Sequence, residues 1–267
     1  MCGLADVYES TLTAMGDDVN LEQKTPQTRY DPALVNTSLN IDKISFGLKR
    51  TQQGRLCLYG PPSTGKSAYA AYLVEYLEMP LLAKRASDIM DCYVGNTEKN
   101  IAQMFKQAQE EDALLLLDEA DSFLQNRQPS HYGWEVTQVN ELLVQMENFD
   151  GLFICSTNLM DNLDSATLRR FDFKLKFDYL KSQQAWALFQ QIMATPLKRQ
   201  SSLRKQRYQQ QLAAMDNLTP GDFVAVKRKM LVLGETQNIE LFLQNLQEEL
   251  SFKPEGRKRS IGFSANI

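Results

Sequence analysis

The stretch from Gly60 to Ser67, Gly-Pro-Pro-Ser-Thr-Gly-Lys-Ser, constrains this chain more than any other feature of its sequence. It fits G-x-x-x-x-G-K-[ST], a pattern in which backbone N–H groups of a glycine-rich loop surround phosphate oxygens. In such a loop Lys66 reaches the outer phosphates and the Ser67 hydroxyl ligates Mg²⁺. The loop opens a helix, whose positive amino end also favours an anion. The motif therefore predicts a site for a nucleoside triphosphate with Mg²⁺.

The residues on either side of the loop favour the order of strand, loop and helix that this motif requires. A short apolar strand candidate precedes Gly60, and apolar residues recur at helical spacing from Tyr69 to Leu77. Met79-Pro80 then ends the helix. A chance match in a glycine-rich turn is the alternative, and these flanking patterns make it the weaker one.

Acidic and polar residues follow two further strand candidates. Asp118 and Glu119 end one apolar run, and Asn158 follows the next. Because ligands bind beyond the carboxyl ends of parallel strands, we expect these residues to lie near the loop. There Asp118 can hold Mg²⁺ through water, Glu119 can polarise the water that attacks the γ-phosphate, and Asn158 can orient that water. The alternative for each residue is an ordinary turn position at the end of a strand.

Strands that alternate with helices predict an α/β fold, with a parallel five-stranded sheet flanked by helices. The predicted strands cover residues 55–59, 81–86, 113–117, 152–156 and 173–177. After residue 179 the pattern changes to helices only, which predicts a small all-helical lid domain. The predicted divisions are an N-terminal extension, the α/β nucleotide-binding domain, the helical lid and a C-terminal tail, over residues 1–38, 39–179, 180–253 and 254–267.

Composition argues against several other classes of protein. The 267 residues carry a net charge of −4, so no overall basic field favours nucleic acid. One histidine, His131, cannot supply the two zinc ligands of an H-E-x-x-H protease. Four widely spaced cysteines favour a reducing cytosol over a disulfide scaffold. With no signal peptide and no apolar stretch long enough to cross a bilayer, we expect a cytoplasmic protein without a membrane segment.

Taken together, these motifs resemble those of the AAA+ ATPases, and within them the AAA clade that includes katanin and spastin. The resemblance extends over residues 40–250 and also rests on Ser156-Thr157-Asn158 and on residues 163–172. It implies that Asp118 and Glu119 form the Walker B pair and that Asn158 is a sensor. It also implies that Arg169 and Arg170 are arginine fingers, which contact the phosphate bound by a neighbouring subunit. Ordinary surface charge is the alternative for this arginine pair, and the main finger of the two is left open.

The loop motif and the resemblance together assign the residues that bind nucleotide, namely Gly60, Pro61, Pro62, Ser63, Thr64, Gly65, Lys66, Ser67, Ala68, Asp118, Ile44, Gly47 and Gly221. Gly221 follows Thr219-Pro220, which predicts the start of a lid helix beside the nucleotide. Ile44 and Gly47 are assigned to the adenine pocket by position alone. Arg228, on the same lid helix, is expected to be a surface residue.

Tyr93, Val94 and Gly95 look like the substrate pore loop of this clade. In a ring of subunits, several Tyr93 side chains would line a central channel and grip an extended polypeptide. The alternative is that Tyr93 and Val94 are core residues packed against the following helix. Residues 127–134 form a candidate second pore loop, whose aromatic residues could equally pack on a neighbour.

The resemblance thus implies Mg²⁺-dependent ATP hydrolysis by a homo-oligomer, with a hexamer as the family expectation. Hydrolysis would be coupled to remodelling, unfolding or disassembly of a protein substrate, reached directly or through an adaptor. No nucleic acid and no membrane are expected as partners. Two other functions stay open: a nucleic-acid loader or translocase built on the same core, and an ATP-gated assembly switch with little turnover. The acidic balance argues against the first and Glu119 against the second.

Overall fold

The structure, a computed structural model, describes residues 30–93, 95–124, 133–159 and 164–253. Asp31 is the first residue of the compact unit to which all the elements named below belong. Most of the predicted extension, the predicted tail, Val94 and most of the candidate second pore loop lie outside the described residues.

Six strands form a single sheet: β1 (Asn36–Thr37), β2 (Gly54–Tyr59), β3 (Leu81–Arg85), β4 (Leu114–Asp118), β5 (Leu152–Thr157) and β6 (Phe173–Asp178). The helices before the end of the sheet are α1 (Ile41–Thr51), α2 (Lys66–Leu77), α3 (Ala86–Ile89), α4 (Asn96–Glu110), α5 (Asp121–Leu124), α6 (Gly133–Asn148) and α7 (Ser165–Leu168). The helices after it are α8 (Ser182–Ile192), α9 (Ala194–Lys198), α10 (Ser202–Ala213), α11 (Pro220–Leu233) and α12 (Ile239–Ser251). A short 3₁₀ turn, Pro32–Leu34, precedes β1.

The strands lie in the order β1-β6-β2-β5-β4-β3, and every neighbouring pair except β1 and β6 is parallel. Every residue of β5 is buried, and so are the first four residues of β4. Each strand begins with four buried apolar residues, and such runs are typical of parallel strands that are covered on both faces. The predicted α/β fold with a parallel sheet flanked by helices is therefore confirmed.

The sheet has six strands and not the predicted five. The additional strand, β1, lies within the segment predicted to be an extension, and it pairs antiparallel with the end of β6 through Asn36↔Asp178 and Thr37↔Phe177. Two residues are too few to show an alternating pattern of apolar and polar side chains. The pairing depends on main-chain hydrogen bonds, which the sequence does not reveal.

Two clusters of buried apolar side chains lie within the described residues. One packs helices α3–α6 against the sheet and includes Phe105, which lies 5.2 Å from Phe153 and 5.4 Å from Phe149 between ring centroids. The other joins the helices after β6 around Phe189, Phe223 and other fully buried side chains. The sheet with helices α3–α6 and the group of helices after β6 thus have separate cores.

A short crossing connects the sheet to the helices that follow it. β6 ends at Asp178 and α8 begins at Ser182. Between them, the N–H of Leu180 donates to the carbonyl of Leu218 at 2.8 Å, just before α11. The end of β6 and the start of α11 therefore lie side by side.

Candidate functional site

The loop from Gly60 to Ser67 follows β2 directly and ends in the first turn of α2. Gly60 has a φ of 138°, and a Cβ at this position would lie 1.9 Å from the carbonyl oxygen of Phe177 on β6. Because no side chain fits there, the turn requires glycine. Within the loop, Thr64 Oγ1 donates to the carbonyl of Pro61 at 2.8 Å and fixes the loop's curvature.

Lys66 joins this loop to the end of β5. Its Nζ donates to the carbonyls of Gly60 and Pro61, each at 2.8 Å, and to Asn158 Oδ1 at 2.9 Å. The lysine side chain is buried although it carries a charge. Loop, lysine and predicted sensor are thus brought together as the sequence analysis expected.

Burial shifts the titration of Lys66. Removal from water lowers the pKa of Lys66 from 10.5 to about 8, and the nearby carboxylates of Asp118 and Asp121 oppose part of this shift. Burial disfavours the charged form of an amine, whereas negative neighbours favour it. A phosphate group bound at the loop would act in the same direction as the carboxylates.

Asp118, the last residue of β4, contacts both the loop and the neighbouring strand. Its Oδ2 accepts from Ser67 Oγ at 2.9 Å, while its Oδ1 accepts from Ser156 Oγ and from the N–H of Glu119. A hydroxyl and a carboxylate that converge in this way suit Mg²⁺, which prefers oxygen ligands and takes its remaining ones from water and phosphate. Among the described residues, no cluster of three or more histidine, cysteine, aspartate or glutamate side chains could hold a metal by itself. The donor set therefore fits a cation that arrives with a nucleotide.

Glu119 points away from this contact. Its φ is 54°, in the left-handed region that few non-glycine residues adopt, and its side chain is exposed. This conformation directly after a buried strand turns consecutive carboxylates in different directions. Asp118 is thus held by hydrogen bonds, and Glu119 is left facing solvent.

Asp121 is a site residue that the sequence alone did not assign. Its Oδ1 accepts from Thr157 Oγ1 and from the N–H of Asn158 at 3.0 Å. It therefore holds the end of β5 in place, and with it the side chain of Asn158. The signal in the sequence is a third acidic residue three positions after Asp118, which is compatible with an ordinary surface turn.

Arg169 and Arg170 lie at the amino ends of the parallel strands, opposite to the end that holds the phosphate loop. They directly precede β6. Between them and β6, Asp172 exchanges hydrogen bonds with Arg55 at the start of β2. Gly60 lies at the other end of β2, roughly 17 Å away for five residues of extended chain. Arg170 is paired with Glu147 on α6 and donates to the carbonyl of Ala166. Arg169 is exposed and has no hydrogen bond or ion pair within the described residues.

Gly221, in the first turn of α11, lies against the phosphate loop. Its N–H donates to the carbonyl of Ser63 at 3.1 Å, and a Cβ at Gly221 would lie 2.5 Å from Ser63 Cβ. Ile44 and Gly47, the residues assigned to the adenine pocket, are on α1, where Ile44 is buried.

A cavity of about 300 Å³ lies beside the end of β6. It is lined by the segment from Pro32 to Asp42 together with Lys181 and Gln184. Neither Ile44 nor Gly47 lines it. β1 and its flanking turns carry no sequence pattern that predicts such a cavity.

Tyr93 lies in the turn between α3 and α4 and is 72% exposed. Its N–H donates to Asp91 Oδ1 at 2.8 Å, and its carbonyl accepts from the N–H of Asn96. Such exposure contradicts the alternative that Tyr93 is a core residue. Gly95 has a φ of 89° and directly precedes α4.

Two of the cysteines are structural. Cys57 on β2 and Cys155 on β5 are opposite each other in the sheet and fully buried. Burial raises the pKa of Cys57 to about 12 and that of Cys155 well above its usual value, so both stay protonated thiols. Among the described residues, no helix is long and apolar enough to cross a membrane.

Residues 56–179 match the family described as "ATPase family associated with various cellular activities (AAA)". The chain is 31% identical over 161 residues to the peroxisomal ATPase PEX1 of Saccharomyces cerevisiae, an alignment that covers 58% of this chain and 14% of PEX1. Residues 56–179 of this chain therefore form a domain of the AAA ATPase family. The loop from Gly60 to Ser67 and the acidic end of β4 both lie within the matched residues.

Other AAA+ proteins show the same pattern of partial coverage. An uncharacterised AAA family ATPase of Sinorhizobium fredii, y4kL, is 35% identical over 149 residues, which cover 54% of this chain and 44% of y4kL. The mouse mitochondrial inner membrane m-AAA protease component AFG3L2 is 27% identical over 236 residues, which cover 83% of this chain and 29% of AFG3L2. The chain thus spans less than half the length of each of these relatives.

The similarity to a solved structure concerns the fold. A chain in the structure of the Escherichia coli MS115-1 HORMA:CdnC:Trip13 complex superposes with a TM-score of 0.59 over 78% of this AAA+ chain and 82% of that chain. Sequence identity between the two is 16%.

Proposed function

We propose that this AAA+ protein binds ATP at the loop from Gly60 to Ser67 and hydrolyses it. One observation carries the proposal: Lys66 Nζ is shared between the loop carbonyls and Asn158 Oδ1, beside the Ser67–Asp118 pair. A cation, a polar amide and a carboxylate thus converge at the carboxyl ends of parallel strands, where nucleotides bind in such sheets.

The proposed reaction uses these residues in defined roles. Lys66 exchanges its three acceptors, the two loop carbonyls and Asn158 Oδ1, for oxygens of the outer phosphates, which frees the Asn158 amide to orient a water molecule. Glu119, exposed and one residue beyond the Walker B strand, accepts a proton from that water as it attacks the γ-phosphate. Ser67 and Asp118 would hold Mg²⁺, which neutralises charge on the phosphate oxygens when bound.

The position of the arginines favours action between subunits. A side chain at the amino end of β6 cannot reach a loop roughly 17 Å away at the carboxyl end of β2. Arg169 is exposed, whereas Arg170 is held by Glu147 of its own chain. We therefore assign the finger role to Arg169, which would contact the phosphates of the next protomer. Such a head-to-tail contact closes into a ring or continues as a spiral.

We place the base of the nucleotide toward the cavity beside β1. The carbonyl of Phe177 touches the start of the loop, and Thr37 of β1 pairs with Phe177. The cavity lined from Pro32 to Asp42 thus begins next to the phosphate site. The five helices after β6 would act as a lid, because Gly221 at the start of α11 rests on Ser63.

A protein is the proposed substrate. One relative is a protease component by name, and the exposed Tyr93 supplies a flat aromatic ring on a turn held by Asp91. In an assembled ring such turns would line the centre and grip an extended chain with little dependence on its sequence.

Two variants test the proposed hydrolysis. Lys66→Ala is expected to abolish ATP binding, whereas Glu119→Gln should keep binding and lower kcat by at least about 100-fold, the usual contribution of a general base. Glu235→Gln is a matched control, because Glu235 is exposed beyond the far end of α11. Binding is measured by calorimetry and turnover by phosphate release. Unchanged turnover in Glu119→Gln would remove the general-base role of Glu119, and ATP binding with little turnover in both proteins would instead indicate an ATP-gated switch.

A further inference from the structure

Lys253 joins three parts of the chain that meet at the start of α11. It lies two residues after the end of α12, and its Nζ donates to Asp222 Oδ2 and to the carbonyl of Asn217, each at 2.7 Å. The same Nζ lies 5.6 Å from the ring centroid of Tyr179, between β6 and α8. A single cation thus contacts the segment that leaves the sheet, the loop before α11 and the first turn of α11.

Asp222 transmits this contact to the end of the helix. Its side chain is 10% exposed, and its Oδ2 also accepts from the N–H of Thr219 at 2.7 Å. Thr219 Oγ1 in turn accepts from the N–H of Asp222, which completes a capping box at the helix start. A nearly buried carboxylate is costly unless it is paired, and Lys253 is its charged partner.

The turn that Asp222 fixes is the one that touches the phosphate loop. Gly221, the adjacent residue, donates its N–H to the carbonyl of Ser63, and the two residues are in van der Waals contact. Ser63 has a φ of 62°, a conformation that needs support from its surroundings. A shift of this turn therefore changes the support of the phosphate loop.

We propose that Lys253 is a positioning residue for ATP binding, which acts through Asp222 to hold the first turn of α11 against Ser63. The proposal rests on the proposed function, because it concerns ATP at the same loop. Without the lysine charge the turn gains freedom to move away from the loop. Lys66 and Glu119 keep their places, so the effect falls on nucleotide affinity and not on the rate at saturating ATP.

A second ion pair between the same helices supplies a matched control. Lys229 on α11 contacts Glu248 on α12 at 2.7 Å, the same distance as in the Lys253–Asp222 pair. The side chains of Lys229 and Glu248 are 41% and 52% exposed, and this pair lies away from the first turn of α11. Lys229→Met therefore removes one positive charge, as Lys253→Met does, without altering a contact to the phosphate loop.

The first experiment measures the Kd of ATP by calorimetry and steady-state hydrolysis by phosphate release. Lys253→Met is expected to raise both Kd and KM about tenfold, a typical coupling within one network, with kcat changed less than about twofold. Lys253→Arg should restore most of the affinity, and Lys229→Met should match the unaltered protein. An unchanged Kd in Lys253→Met, or a fall in kcat with KM unchanged, overturns the proposal.

A second variant and a second readout separate this proposal from the proposed function. Asp222→Asn should reproduce the loss of affinity and show no further loss when combined with Lys253→Met. Hydrogen exchange in the nucleotide-free protein should become faster at the amides of Thr219 and Gly221 in Lys253→Met, and not in Lys229→Met. If the unaltered protein binds no ATP, the proposed function fails, and equal exchange in the two variants overturns the positioning role independently.

Discussion

At the scale of single residues, Lys66 is the group that joins the phosphate loop to the neighbouring strand and that we propose to bind ATP. Its ammonium donates to two loop carbonyls and to Asn158 Oδ1, and so joins the loop to the end of β5. The same burial that positions the lysine also lowers its pKa to about 8. Phosphate binding should reverse that shift, because a nearby anion favours the charged amine.

This shift predicts how ATP affinity changes with pH. Below pH 8 the free protein already carries the charged Lys66, whereas above it the lysine must take up a proton as ATP binds. At pH 9, one pH unit above this pKa, about one lysine in ten is still charged. The Kd of ATP should therefore rise about tenfold between pH 7 and pH 9. Calorimetry in two buffers of different ionisation enthalpy would detect the proton uptake at pH 9.

The control for this prediction is Lys66→Arg, in which the side chain stays charged throughout the range. Its affinity for ATP, even if lower, should not change between pH 7 and pH 9. Equal affinity of the unaltered protein at both values, with no proton uptake, would show that Lys66 titrates outside this window.

The sequence predicted the residues of this site whose chemistry belongs to a local motif. Lys66 and Ser67 follow from a single continuous pattern, and Asp118 follows from an apolar run that ends in an acid. Asp121 was not assigned, because its role depends on the hydrogen bond to Asn158, 37 positions away. The role of Lys253 was not predicted for the same reason, because its partner Asp222 lies 31 positions earlier in the sequence.

At the scale of elements, the turn between α3 and α4 is distinguished by an aromatic side chain with no core to pack in. Asp91 and Asn96 bond to the backbone on either side of Tyr93, and the ring extends into solvent. A fixed backbone with an exposed ring is suited to contact a partner, because little freedom is lost on binding.

Tyr93→Ala is therefore expected to leave basal ATP hydrolysis within about twofold and to abolish remodelling of a protein substrate, since most surface substitutions change stability little. Phe46→Ala is the matched control, because Phe46 is a similarly exposed aromatic residue, on α1. The measurement follows unfolding of a fluorescent test protein in the presence of ATP. Equal unfolding by Tyr93→Ala and Phe46→Ala would remove the proposed role of this turn.

Elements with strong periodicity were predicted well, and weak ones were not. β4 and β5 each begin with a run of four buried apolar residues, and the capping box at Thr219 marks the start of α11. β1 has only two residues and was not predicted. Packing and main-chain pairing determine such elements, and neither leaves a pattern in the local sequence.

At the scale of the whole molecule, the sheet separates the two halves of the proposed catalytic site. The phosphate loop lies at the carboxyl end of β2, and Arg169 lies at the amino end of β6, its neighbour in the sheet. Within one protomer, the Arg169 side chain is too far from the phosphate loop to contact a bound phosphate. The chemistry that we propose thus needs at least two copies of the chain, with the finger of one beside the loop of the next.

The most direct test of this account mixes two inactive variants, Lys66→Ala and Arg169→Ala, and measures ATP hydrolysis against the mixing ratio. At interfaces where an Arg169→Ala protomer binds ATP and a Lys66→Ala protomer supplies Arg169, one complete site forms. We therefore predict that hydrolysis rises from near zero in either variant alone to a maximum near equal amounts. Arg170→Ala alone should retain most activity, because that arginine is paired with Glu147. An absence of rescue at every ratio, or full activity of Arg169→Ala alone, would contradict the account.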